Sequence, residues 1–190
     1  MSVGRPYRLK RRAETQDQTR QRIVDAAIEL HQTRGPAATT ISDIATRAGV
    51  GRVTVYRHFP DEEALLGACS GQYYAQHPFP DPHPWRAITD PRTRLRTGLA
   101  ETYAYHAATE EMSAHVLRDM RDDPVLDPYH RHWERAADIL ATGWGARARR
   151  RQMLTAAIAV SLSFDTWRML VRDHGLSQDE AVEVALRLVG

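Results

Sequence analysis

Helix-stop signals divide residues 19–60 into short helical segments, and their spacing limits the possible folds more than any other feature. Apolar residues between positions 23 and 30 recur at i, i+3, i+4 and i+7, the pattern of one helix face. This helix ends at Gly35-Pro36, because glycine is favoured just after a helix and proline cannot continue one. A second segment ends at Gly49, and a third must end before Pro60. The spacing predicts three short helices with a helix-turn-helix unit.

The sequence also indicates where two of the helices begin. Thr40 and Asp43 have the spacing of a capping box, with Asp43 in place of the usual Glu or Gln. Asp61 is placed to cap a fourth helix. That helix carries an apolar face made of Ala64, Leu65, Ala68 and Cys69.

The third helix of this unit has two different sides. Val55 and Phe59 point together on a helical wheel, toward the first two helices, and Val50 adds a third apolar anchor. The opposite side carries side chains that can bind phosphates or base edges: Arg52, Val53, Thr54, Tyr56, Arg57 and His58. The exposed side of a short helix with an apolar back is suited to a DNA major groove. A solvated face on a small helical bundle is the alternative interpretation.

The charge distribution favours nucleic acid as the partner of the N-terminal part. Residues 1–60 contain 11 Lys and Arg against 5 Asp and Glu, a net charge of +6. The remaining residues contain 15 and 19, a net charge of −4. Residues 1–18 are predicted to form a flexible basic arm. Such an arm can lie along phosphates or enter a minor groove, or it can be a solubilising tail.

Several other classes of protein are disfavoured. Cys69 is the single cysteine, so no disulfide framework is expected. Neither His106 and His115 nor His130 and His132 have a spacing that suits zinc. No nucleophile elbow, phosphate loop or paired-carboxylate motif is present. The sequence therefore predicts no enzyme activity, no metal and no cofactor.

Targeting signals are equally weak. The polar run AETQDQTRQR stands where a signal peptide would need an apolar segment, and MLTAAIAVSLSF is too short to span a bilayer. We expect a cytoplasmic protein that is not bound to a membrane.

A second, larger helical region is predicted after the proline-rich stretch at residues 77–85. Periodicity places helices near 91–108, 110–122, 127–144, 147–174 and 177–189, and no strand signal appears. The fold class is therefore all-α. In the fourth of these helices, large and small apolar residues recur every three or four positions along a seam from Met153 to Val171.

The run TTISDIATRAGVGRVTVYRHFPDEEALL, with RQRIVDAAIELHQTRG before it, resembles the DNA-binding domain of the tetracycline-repressor (TetR) family of bacterial regulators. The resemblance covers about residues 19–70. It implies DNA contacts by Thr40 and by the six residues of the third helix given above, with Tyr56 and His58 on phosphates. The chain departs from the family pattern at Gly51, at Glu62, where a Lys often binds the DNA backbone, and at His31.

The resemblance also implies a rear domain that binds a small molecule and forms a dimer. Candidate ligand-binding residues are large or polar-tipped side chains: Trp85, Tyr103, His106, Met112, His115, Met120, Trp133, Phe164, Asp165 and Trp167. Each of them could equally be an ordinary core residue, and Asp165 could pair with an arginine. The predicted dimer interface uses the final two helices, through Met153, Ala157, Val160, Val171, Val182, Leu186 and Val189. An intrachain core is the alternative for this set.

These observations predict a homodimeric transcriptional regulator with three parts: the arm at 1–18, a DNA-binding domain at 19–76, and an effector-binding and dimerisation domain at 77–190. The expected function is repression at a palindromic operator, relieved by a small hydrophobic effector. Two alternatives stay open. The protein could be a ligand-independent or activating regulator, or it could be a protein-interaction module that uses weak DNA tethering.

Overall fold

The computed structural model describes the backbone of residues 4–190 and the side chains from residue 13 onward. The described residues form helices and no strand, which confirms the all-α prediction. Between residues 4 and 190, ten α-helices follow one another: α1 (Gly4–Arg34), α2 (Ile41–Ala48), α3 (Arg52–His58), α4 (Glu62–Gln76), α5 (Pro91–Ala108), α6 (Glu110–Asp119), α7 (Asp127–Leu140), α8 (Ala148–Leu162), α9 (Phe164–Arg168) and α10 (Gln178–Val189). Short 3₁₀ turns lie at Pro36–Ala38, Pro84–Ala87 and Pro124–Leu126, and a π-helical segment lies at Met169–Asp173.

The N-terminus differs from the predicted flexible arm. Helix α1 begins at Gly4, so residues 4–18 are helical rather than irregular. Glu, Gln and Arg are good helix formers, and they extend the hydrogen-bond ladder of α1 without an apolar face. Residues 13–18 are all exposed, which explains why no hydrophobic period marks this part of the helix. Residues 1–3 of the predicted arm lie outside the described residues.

The N-terminal unit contains the chain up to His77 together with Ala114–Val125. Its core is formed by apolar side chains of α1 to α4, including Ile23, Ala27, Ile44, Val55, Phe59 and Leu65. The second segment was predicted to belong to the rear domain. It is held in this unit because the backbone N–H of Ala37 donates to Asp119 at 3.1 Å and Nδ1 of His115 lies 2.8 Å from the carbonyl of Gln32.

The C-terminal unit contains Pro78–Ser113 and Leu126–Gly190. Helix α5 packs against α7, α8 and α10 within this unit. Gly98 permits the approach of α5 to α7, because a Cβ atom at this position would lie 2.8 Å from Cδ2 of Leu140. Arg94 is buried at the start of α5, and its guanidinium donates to the carbonyls of Ile88 and Thr142. The buried charge of Arg94 is therefore fully hydrogen-bonded.

The predicted helix at 147–174 is broken at Ser163, so the single-helix prediction is wrong. Ser163 has extended backbone angles, φ −68° and ψ 147°, and α8 and the segment that follows are bent by 55°. The Ser163 hydroxyl accepts from the Thr166 N–H, and both hydroxyls donate to the carbonyl of Val160. These side-chain bonds compete with the backbone ladder and end α8.

No single described helix is both long and apolar enough to cross a membrane. Only the bent pair of Ala148–Leu162 and Phe164–Asp173 passes a joint test of length and composition.

The break divides the predicted dimer seam into two unlike halves. Met153 and Val160 on α8 are each 62% exposed, whereas Phe164 and Trp167 on α9 are buried. The bend at Ser163 turns the second half of the seam into the unit. Ala157, Val171 and Val189 are partly exposed.

Two residues of the predicted dimer interface are in the core of their own unit. Val182 and Leu186 on α10 are buried. Since α10 packs mainly on α5 and α8, these side chains are covered by the same chain and are not available to a second one. Leu188, which was not predicted, is the exposed apolar residue of α10, at 62%.

Candidate nucleic-acid interface and buried aromatic cluster

The turn between α2 and α3 depends on two glycines. Gly49 ends α2 with φ 66° and ψ 40°, the left-handed conformation that glycine adopts most easily. Its N–H donates to carbonyls of the last turn of α2, and the N–H of Val50 donates to Ala45 at 2.9 Å. Gly51 then occupies the N-cap of α3 without a side-chain hydrogen bond. The turn directs α3 away from α2 within four residues.

Helix α3 has one buried and one exposed side, as the sequence predicts. Val55 and Phe59 are 1% and 2% exposed and pack into the core of the N-terminal unit. Val53 is 83% exposed and Tyr56 is 41% exposed, and both arginines of the helix are also exposed. This short helix therefore exposes an apolar valine side chain and two guanidinium groups. Such a combination suits contacts with both bases and phosphates.

Thr40 is already engaged within the chain. Its hydroxyl oxygen accepts from the N–H of Asp43 at 3.2 Å, and the hydroxyl donates to the Asp43 carboxylate at 2.6 Å. The backbone N–H of Thr40 donates to the same carboxylate, which completes the predicted capping box. Because a phosphate oxygen only accepts hydrogen bonds, a contact from the Thr40 hydroxyl to DNA would require release of Asp43.

An arginine of α1, which was not among the predicted DNA-binding residues, lies close to the end of α3. The guanidinium of Arg20 from α1 lies over the Phe59 ring, 4.7 Å from its centroid. The pKa of His58 is lowered, first by partial burial and then by the charges of Arg57 and Arg20. Arg20 therefore adds positive charge beside the predicted DNA-binding residues. The position of Arg20 in the sequence does not indicate that it lies near α3.

The C-terminal unit contains a connected group of rings around His106, which we call the aromatic cluster. It consists of Phe79, Tyr103, Tyr105, His106, Tyr129, His132, Trp133, Phe164 and Trp167. The centroid of the His106 ring lies 5.3 Å from that of Trp133, 5.6 Å from Phe164 and 6.0 Å from Trp167. These contacts join α5, α7 and α9.

Comparison with known proteins identifies the family. Residues 23–69 match the family described as bacterial regulatory proteins, tetR family. These residues therefore form a DNA-binding domain of the TetR family. The matched residues run from Ile23 in α1 to Cys69 in α4, so they contain α2, the glycine turn and α3.

Two curated relatives with similar sequences are bacterial regulators. An activator, FasR of Mycolicibacterium smegmatis, is 28% identical over 177 residues, which are 88% of this chain and 79% of FasR. A transcriptional repressor of Mycobacterium tuberculosis is 50% identical over 46 residues, which are 24% of each chain.

One solved structure shares the fold of this chain over most of the length of both chains. FadR of Bacillus subtilis, crystallised with stearoyl-CoA, has a TM-score of 0.62 at 16% identity, covering 89% of this chain and 96% of FadR.

Half of the predicted ligand residues meet in the aromatic cluster: Tyr103, His106, Trp133, Phe164 and Trp167. Trp85 is buried apart from these rings, with its indole N–H donating to Glu101 at 2.9 Å. Met112 is buried near the end of α6's first turn, and Asp165 is exposed on α9.

The two other predicted ligand residues lie in the N-terminal unit. His115 contacts Gln32, and Met120 lines a cleft of about 740 Å³ together with residues of α2 and α4. The prediction that these two residues line a site in the rear domain is therefore not supported. The chain returns to the N-terminal unit after Ser113, which periodicity alone does not reveal.

Several residues of the aromatic cluster were missed by the sequence analysis. Phe79 was read as part of a proline-rich separator, yet its ring stacks on His132 with centroids 4.5 Å apart. Tyr105 and Tyr129 complete the contacts with Trp133. An aromatic residue inside a run of prolines is the one sequence signal that could have pointed to this packing.

His106 and Tyr103 lie one turn apart on α5 and bind the end of α8. The Tyr103 hydroxyl donates to the carbonyl of Ser161 at 3.0 Å, and Nε2 of His106 lies 2.9 Å from the carbonyl of Leu162. Both carbonyls lie in the last turn of α8, where helical partners are missing. Because carbonyl oxygens only accept hydrogen bonds, Nε2 of His106 must carry the proton.

Burial dominates the titration of this histidine. It lowers the pKa of His106 from 6.5 to about 4, although the hydrogen bond to Leu162 acts in the opposite direction. The imidazole is therefore uncharged at neutral pH. Among the described residues, no group of three or more His, Cys, Asp or Glu side chains is placed to share a metal ion.

The lowered pKa predicts acid sensitivity. The stabilising effect of neutral His106 is complete above its unfolded pKa of 6.5 and is lost as the pH falls toward about 4. We expect the free energy of unfolding to fall by about 2 kcal/mol between pH 7 and pH 5 on account of this group. Urea denaturation followed by circular dichroism measures it, and His106→Gln should remove that part of the pH dependence. An unchanged slope in His106→Gln would contradict the assignment.

Proposed function

We propose that this TetR-family chain binds a palindromic DNA operator as a homodimer and represses transcription until a small hydrophobic compound releases it. The single observation that carries the DNA-binding part is the outer side of α3. There Val53 is 83% exposed on a helix whose opposite side is fully packed. An exposed valine without a partner costs solvation free energy, whereas in a major groove it can contact a thymine methyl group.

The other residues of α3 have complementary roles in this proposal. Arg52 and Arg57 bind guanine edges or phosphates through their guanidinium groups. Tyr56 and His58 donate to phosphates, and Arg20 adds a further positive charge at the same end of the helix. Thr54, which is half-buried, contacts the DNA backbone in this proposal. Thr40 acts first as the cap of α2, and we assign it only a secondary role in DNA binding.

The dimer is supported by apolar surface on two helices that pack together in the C-terminal unit. Met153 and Val160 are seven residues apart and therefore lie on the same face of α8. Leu188 adds an exposed apolar side chain on α10, which packs against α8. Two reading helices related by the symmetry of a dimer would give the specificity that one short helix lacks.

Release by a ligand is supported by the composition of the C-terminal unit. The aromatic cluster combines large apolar rings with a few polar tips, as small-molecule sites do. The structure of FadR of Bacillus subtilis contains stearoyl-CoA, so this fold accommodates ligands. By linkage, a compound that binds better to the DNA-free conformation weakens operator binding by the same factor.

An activating regulator is the second candidate, since FasR, which is similar over 88% of this chain, is an activator. A reporter gene placed after the operator separates the two roles, because a repressor lowers its expression and an activator raises it. Either role places the chain with DNA in the bacterial cytoplasm, and neither assigns it a catalytic reaction.

Selection of binding sites from a random DNA pool at physiological salt tests the DNA-binding part. We expect a palindrome to be enriched. Arg57→Ala should relax the sequence preference at defined positions in both half-sites, with a loss of about 1–3 kcal/mol per base contact. Arg131→Ala is the matched control, because it removes the same charge from α7 in the C-terminal unit. Binding that is sensitive to salt and indifferent to sequence would favour the tethering alternative.

Met153→Glu tests the proposed dimer face. The wild-type chain should be a dimer by size-exclusion chromatography with light scattering. Burying two unpaired carboxylates should cost about 3 kcal/mol or more, which raises the dimer dissociation constant at least a hundredfold. Ala75→Glu, at an exposed position of α4, should leave the dimer intact. Equal masses for wild type and Met153→Glu would place the interface elsewhere.

A further inference from the structure

Four buried polar atoms in and beside the aromatic cluster have no hydrogen-bond partner among the described residues. They are Oγ1 of Thr102, Nδ1 of His106, Nε2 of His132 and Nε1 of Trp133. Thr102 and His106 are both 0% exposed and lie one turn apart on the same face of α5. Buried polar atoms are rarely left unpaired in native structures, so a concentration of them points to a missing partner.

Two of these atoms need opposite hydrogen-bond partners, one a donor and the other an acceptor. Nε2 of His106 carries its proton, because it bonds to the Leu162 carbonyl at 2.9 Å. In the neutral ring, Nδ1 of His106 is therefore an acceptor. The indole Nε1 of Trp133 is only a donor. A single group that satisfies both atoms donates to the histidine and accepts from the tryptophan, as a water molecule or an organic hydroxyl group can.

The two rings are close enough to share such a group. Their centroids are 5.3 Å apart, and a hydrogen bond from a nitrogen to an oxygen spans about 2.9 Å. The surroundings are mostly aromatic: Phe164 and Trp167 contact His106, while Tyr105 and Tyr129 contact Trp133. Flat apolar ligands pack well against such rings.

Both histidines of the aromatic cluster that have an unpaired ring nitrogen are uncharged at neutral pH. Burial lowers the pKa values of both His106 and His132 to about 4, so both rings are neutral at pH 7. Asp81 and Arg135 act electrostatically on His132 with opposite signs. Arg172 lies over Trp167, but it is paired with Glu110. A charged ligand would therefore lose hydration without gaining an ionic partner from either histidine or from Arg172.

We infer that the aromatic cluster binds an uncharged aromatic compound through a hydroxyl group, which donates to Nδ1 of His106 and accepts from Nε1 of Trp133. This inference deepens the proposed function, since the bound compound is the effector of that proposal. Through the same imidazole, the ligand is joined to the Leu162 carbonyl at the break between α8 and α9.

Isothermal titration calorimetry on the full chain at pH 7 tests the inference with three related compounds: 2-naphthol, naphthalene and 2-naphthoate. We expect 2-naphthol to bind about thirtyfold more tightly than naphthalene, because it forms two additional buried hydrogen bonds. The anion 2-naphthoate should bind no better than naphthalene.

Two tryptophan variants separate the hydrogen bond from ring packing. Trp133→Phe retains an aromatic ring but lacks the donor, so the preference for 2-naphthol over naphthalene should fall to about fivefold. Trp144→Phe is the matched control outside the aromatic cluster, since the Trp144 indole already donates to the carbonyl of Leu140 at 2.9 Å. The preference of this control variant for 2-naphthol over naphthalene should equal that of the wild type. Naphthalene affinity in each variant reports any general loss of packing.

Three results would overturn the inference: equal affinities of the wild type for 2-naphthol and naphthalene, an undiminished preference in Trp133→Phe, or no binding of any compound at its solubility limit. Operator binding is measured on the same samples as an independent outcome. Specific DNA binding without 2-naphthol binding would leave the DNA-binding function standing and reject the hydroxyl site. Binding of 2-naphthol with no effect on DNA affinity would support the site and reject its role as the effector site.

Discussion

Three consecutive carbonyls at the end of α8 determine how the C-terminal unit is built. The carbonyl of Val160 is bound by the hydroxyls of Ser163 and Thr166, while those of Ser161 and Leu162 are bound by Tyr103 and His106 of α5. Once these carbonyls have side-chain partners, the helix can break and bend without leaving buried acceptors unpaired. The bend brings Phe164 and Trp167 into the core and leaves Met153 and Val160 in solvent.

This junction connects the two properties that we assign to the C-terminal unit. The exposed apolar side of α8 is the surface proposed for the dimer, and the buried rings after the bend belong to the proposed ligand site. His106 belongs to both arrangements, because one ring nitrogen holds the junction and the other is free to bind a ligand. A change at the histidine therefore acts on the packing of α8 through a single hydrogen bond.

The sequence was sufficient to predict the helix-turn-helix part of the N-terminal unit, because its signals are local. The capping box at Thr40, the glycine turn at Gly49 and the buried pair of Val55 and Phe59 each depend on residues within one turn. The break at Ser163 was not predicted, since apolar periodicity continues through it. The local hydroxyls of Ser163 and Thr166 bind only the carbonyl of Val160, and the next two carbonyls are bound by Tyr103 and His106, which lie 58 and 56 positions away.

Placement of the ligand candidates failed for the same reason. His115 and Met120 have suitable chemistry, but tertiary contacts hold them in the N-terminal unit. Phe79 and His132 join the aromatic cluster through long-range packing that no short motif encodes.

The central claim is that two copies of α3 read one DNA site. Hydroxyl-radical footprinting of the wild-type chain on its selected operator tests this claim most directly. Two equal protected patches, about one helical turn or a multiple of it apart, are predicted for a symmetric pair of reading helices. A single protected patch, or uniform protection along the fragment, would contradict the account.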